Sequence, residues 1–68
     1  MINDAWTSER VEDSVSLTHN KTSETVMINM KDINNITEDI LQNLFNDILS
    51  DKDVMLAFRV LFSYVRSR

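Results

Sequence analysis

Residues 13–31 read DSVSLTHNKTSETVMINMK, and the alternation of their side chains decides the fold. In 13–19, Val15 and Leu17 fall on one side, with Ser14, Ser16 and Thr18 on the other. In 24–31, Val26, Ile28 and Met30 oppose Thr25, Met27, Asn29 and Lys31. A strand sends successive side chains to opposite faces, so a period of two over β-branched residues reads as β structure. The polar link Asn20-Lys-Thr-Ser23 joins the two runs, and Asn20 is the residue there expected to take a left-handed conformation. The expectation is a β-hairpin with one apolar face. A lone hairpin is marginal in water, so that face must pack on something.

The C-terminal half of the chain supplies the packing partner. KDINN (31–35) reads as a linker, and Thr37 as an N-cap, with Glu38 and Asp39 in the first turn where the helix dipole favours acids. Ile40, Leu41, Leu44, Phe45, Ile48 and Leu49 then recur at helical spacing, which predicts a first helix over 38–49. Ser50 restarts the pattern, with Asp53 three residues on as in a capping box, and a second helix is predicted over 51–66. The fold class expected is α+β, a β-hairpin followed by two helices (ββαα). The single domain spans 13–68. Residues 1–12, polar apart from Met1, Ile2, Ala5, Trp6 and Val11, read as an N-terminal arm with at most one helical turn after Ser8.

The second helix carries more apolar surface than one neighbour needs. Between Val54 and Val65 only Arg59 and Ser63 are polar. In helical projection the apolar arc covers roughly 220°, where packing on one neighbour needs little more than about 100°. Val54, Met55, Phe58, Leu61, Phe62 and Val65 are therefore the expected interface of a homodimer. Two-fold pairs are the commonest oligomers, and a 68-residue chain has a thin margin of stability on its own.

Composition narrows the chemistry. The chain has no Cys, no Gly, no Pro and one His. Disulfides and thiolate metal sites are excluded, and no metal or cofactor is expected. Glycine-rich phosphate loops and nucleophile elbows are excluded as well. The lack of Gly also argues against tight two-residue hairpin turns. Asp51-Lys-Asp53 reads as helix capping rather than a cation site, and His19, beside a polar turn with no nucleophile near it, as a surface histidine. No run approaches the roughly 20 apolar residues of a membrane span, and the N-terminus lacks the pattern of a secretory signal, so a cytoplasmic location is expected.

The function expected is that of a small, non-enzymatic regulatory or adaptor protein that binds another protein as a homodimer. Trp6, Met27, Asn29 and Lys31 are its candidate contact residues. An alternative comes from Met27-Ile-Asn29-Met-Lys31, a strand end with two helices after it. This pattern resembles ribbon–helix–helix repressors, and the resemblance implies a strand face of Thr25, Asn29 and Lys31 that reads DNA bases. The net charge of −4 sets nucleic acid behind protein as a partner. A third reading is a small acidic inhibitor of the kind mobile elements encode.

Overall fold

The computed structural model describes residues 5–66; the first four residues of the expected arm and the chain end at Ser67 and Arg68 lie outside that range. The architecture is α+β: a three-stranded antiparallel sheet followed by helices. Strands β1 (Trp6–Val11), β2 (Ser14–His19) and β3 (Glu24–Asn29) form a meander with β2 in the centre. A 3-10 helix (Met30–Asn35) leads to α1 (Glu38–Leu44) and α2 (Asp51–Arg66).

The expected hairpin is β2 and β3, with Val15 opposite Ile28 and Leu17 opposite Val26. The expected arm is instead a third strand: residues 6–11 pair along the free edge of β2, from Trp6 opposite His19 to Val11 opposite Ser14. An open strand edge presents unpaired N–H and C=O groups, and β1 satisfies them through its backbone. The alternation of β1 is obscured in sequence because Ser8 and Arg10, which share the parity of the buried Trp6, are polar, and Arg10 is exposed. Ser8 has its own partner, the Tyr64 hydroxyl on α2 at 2.8 Å.

The turns depart from expectation in the same direction. Glu12 and Asp13 alone connect β1 to β2, although the chain has no glycine, and Glu12 takes a positive φ of 58°. A left-handed non-glycine residue costs about 1–2 kcal/mol, which the paired strands on either side offset. In the second turn the left-handed residue is Ser23 (φ 62°), not Asn20, and its N–H closes onto the His19 carbonyl at 2.8 Å.

Residues 30–35 are not a loose linker. The Asn29 side chain accepts from the Lys31 N–H at 3.1 Å and caps a 3-10 helix that carries Ile33 into the core. Thr37 caps α1 as expected, its hydroxyl accepting from the Ile40 N–H at 3.2 Å. That helix stops at Leu44, five residues short of the predicted end. Asn46 and Asp47 both adopt φ of 61°, and Asp47 N–H bonds to the Gln42 carbonyl at 2.7 Å while Asn46 N–H reaches the Asn43 carbonyl at 3.3 Å. These are the two bonds of a Schellman ending, built on Asn and Asp because these residues tolerate the left-handed region better than others. The junction between the helices is therefore a turn. The Gln42 side chain fixes it: its amide nitrogen donates to the Leu49 carbonyl at 2.7 Å and its oxygen accepts from the Leu49 N–H at 3.1 Å. Ser50 then caps α2 through the Asp53 N–H at 3.2 Å.

One hydrophobic core results. Trp6, Val15, Leu17 and Ile28 from the sheet meet Ile33, Leu41, Phe45 and Leu49, and Val54, Ala57 and Leu61 close it from α2.

Candidate interaction surface

The inward face of α2 is used up by the chain itself. Val54 and Leu61, expected at a dimer interface, are buried in the core, and Phe58 and Val65 are half-buried against it. Its outward face holds the rest. Asp51, Met55, Phe58, Arg59, Phe62 and Arg66 succeed one another at spacings of one, three and four, which lines them along one side of the helix. Met55 is 66% exposed and Phe62 38%. The Phe58 and Phe62 rings stack at 5.8 Å with 22° between their planes. A surface helix normally presents polar residues here.

A second apolar strip lies on α1. Helical spacing points six residues at the core from this region, but they divide: the side of α1 with Leu41 faces the core, the side with Ile40 and Leu44 does not, and the chain turns after Phe45. Leu41, Phe45 and Leu49 enter the core, whereas Ile40, Leu44 and Ile48 stay 45%, 41% and 49% exposed. Ile40 and Leu44 are one helical turn apart on α1, and Ile48 is exposed beyond the turn that ends it.

The contact residues expected from sequence divide. Trp6 is an anchor and not a contact surface: it is buried, its indole N–H donates to the Asp53 carbonyl at 2.8 Å, and its ring lies edge-on to Phe45 at 5.1 Å. Met27 and Thr25 are exposed on the outer sheet face, and Thr25 shares a 2.8 Å hydroxyl bond with Thr18. Asn29 and Lys31 line an open groove of about 290 Å³ together with Arg10, Asp13 and Met30, where β3 runs into the 3-10 helix.

His19 is the largest departure from expectation. It is 2% exposed, and its Nε2 lies 3.1 Å from Asp53 Oδ2, an acid of α2's first turn that is also buried. The other ring nitrogen, Nδ1, lies 3.4 Å from the Thr22 hydroxyl, so both nitrogens have a hydrogen-bond partner. The imidazole also packs on Trp6 at 4.8 Å and Phe45 at 6.2 Å. Asp53 thus does more than begin a helix: its side chain holds the sheet through His19, and its carbonyl holds it through Trp6. A signal for this burial exists in the strand, since Val15, Leu17 and His19 share one parity. Local pattern marks Asp53 only as a cap residue, and nothing local marks Gln42.

The order hydroxyl, imidazole, carboxylate is also that of an acyl-transfer relay. Such a relay works at the wall of a cleft. The groove beside Asn29 and Lys31 lies at the opposite end of β2 from the turn that carries Thr22. Among the described residues, no cluster of three or more His, Cys, Asp or Glu could hold a metal ion, and no helix is long and apolar enough to cross a membrane.

Comparison with family models, curated proteins and solved structures finds no match for this chain.

Proposed function

We propose that this is a non-enzymatic regulatory protein that acts by binding proteins, and that it works as a homodimer joined through the outward face of α2. The observation that carries the reading is the exposed apolar pair Met55 and Phe62 on α2, with the half-buried Phe58 at its edge, stacked on Phe62. Exposed apolar clusters of this kind mark interaction sites. The charges around the strip favour a second copy as the occupant, because they are of both signs: Asp51 begins the helix, and Arg59 and Arg66 lie further along it. In an antiparallel pairing about a two-fold axis midway between Phe58 and Arg59, Met55 packs on Phe62 of the second copy. Asp51 then meets Arg66 of the second copy, and each contact occurs twice. The two Arg59 side chains lie nearest the axis, and the paired contacts between Asp51 and Arg66 at either end offset their repulsion.

Sedimentation equilibrium at micromolar concentration tests the reading. The expected mass is twice 7.9 kDa. A monomer throughout that range refutes it. Charge reversal refines the test: Asp51→Arg and Arg66→Asp each weaken association, and the two together restore it.

A further inference from the structure

The exposed strip on α1 differs from that on α2 in its charges, and the difference selects its occupant. From Asp32 to Asp51 the chain holds five acids and no base. Asp39 immediately precedes Ile40, and Asp47 immediately precedes Ile48; all four are exposed. Two copies pairing through this face would set acid against acid across a partly dry contact, where repulsion is stronger than in water. We infer that the exposed pair Ile40 and Leu44 on α1, extended by Ile48 beyond the turn, forms the docking surface for a basic amphipathic helix of a different protein. That helix lays apolar residues one turn apart on the strip and sets Lys or Arg beside Asp39 and Asp47. An apolar helical face read at i, i+4 and i+7 is a recurrent mode of peptide recognition.

The geometry supports this division of labour. α1 has only seven residues and ends in a turn clamped by Gln42, so Ile40, Leu44 and Ile48 are presented without needing to be ordered on binding. Docking of this kind rests on the protein-binding reading and names the chemistry of the partner. It does not depend on the α2 dimer, which uses other residues.

The test uses the full chain and a fluorescently labelled synthetic helical peptide with leucines at i, i+4 and i+7 and lysines flanking them. Anisotropy at low salt is expected to give a dissociation constant of about 10–100 μM, the range of a small, pre-formed contact. The double variant Ile40→Ser, Leu44→Ser is expected to weaken binding about tenfold, as is Asp39→Asn with Asp47→Asn. A peptide with glutamates in place of lysines is expected not to bind, and Met55→Ala to change nothing. All five side chains are exposed, so loss of fold does not confuse the result, and Trp6 emission verifies this for each variant. Three results overturn the inference: no binding of the lysine peptide up to millimolar concentration, binding indifferent to the Ile40 and Leu44 changes, or binding lost in Met55→Ala. Sedimentation of the same samples reads the dimer separately, so failure at one surface is distinguished from failure at the other.

Discussion

Met55→Ala is the substitution that separates association from folding. Met55 is 66% exposed in the chain and sits on the side of α2 away from the core. Alanine there leaves the intrachain packing untouched and slightly favours the helix. In the proposed dimer the same side chain meets Phe62 of the second copy. Fully burying a methionine or phenylalanine side chain is worth about 1.5–3 kcal/mol, and only the part exposed in the monomer can be newly buried on pairing, so about 1–2 kcal/mol is at stake per contact. Two-fold symmetry doubles this to about 2–4 kcal/mol, or a dimer dissociation constant raised roughly thirtyfold to several hundredfold. Sedimentation equilibrium over a concentration series reads the constant, and urea unfolding monitored by Trp6 emission at low concentration reads the stability. The expected result is a large change in the first and almost none in the second. A wild-type dimer whose constant is unmoved by Met55→Ala and by Phe62→Ala would mean that the copies meet elsewhere.

The other predictions concern the fold. Leu61→Asp is expected to unfold the monomer rather than split a dimer, since Leu61 is fully buried in its own chain; loss of the far-ultraviolet circular dichroism of the helices at all concentrations checks this. Asp53→Ala leaves the buried His19 Nε2 without its partner and is expected to lower stability by about 1–3 kcal/mol in urea titration, whereas Thr22→Val, whose bond is long and near solvent, should cost under about 1 kcal/mol. Gln42→Ala strands both polar groups of Leu49 and is expected to cost about 1–3 kcal/mol by the same measurement, with faster amide exchange at Leu49. Glu12→Gly relieves a left-handed residue and is expected to raise the melting temperature by a few degrees, equivalent to about 1 kcal/mol.

Local repetition is the part of this fold that sequence carries openly. The alternation of 14–19 and 24–29 specifies two strands, Thr37 and Ser50 specify where helices begin, and the run from Asp51 to Arg66 specifies the whole of α2. Period and capping act within a turn or two of chain, so composition at neighbouring positions is enough to determine them. The excess of apolar surface on α2 is legible for the same reason, but which residues remain outside is not: Val54 and Leu61 go to the chain's own core while Met55 and Phe62 stay out. That partition depends on the direction from which the sheet approaches the helix.

Tertiary structure decided everything that joins distant residues. β1 exists because β2 offers it an edge, and backbone pairing leaves little trace in side-chain pattern. His19 and Asp53 are 34 residues apart and meet only once α2 lies across the sheet; only then does a strand-end imidazole find a buried carboxylate and leave the surface. The end of α1 is settled by two left-handed residues and by a glutamine clamp to Leu49, and half of a seemingly continuous apolar stripe stays exposed. A helical wheel assumes that the helix continues. Here it stops, and Ile40, Leu44 and Ile48 are left facing solvent because no other part of the described chain covers them.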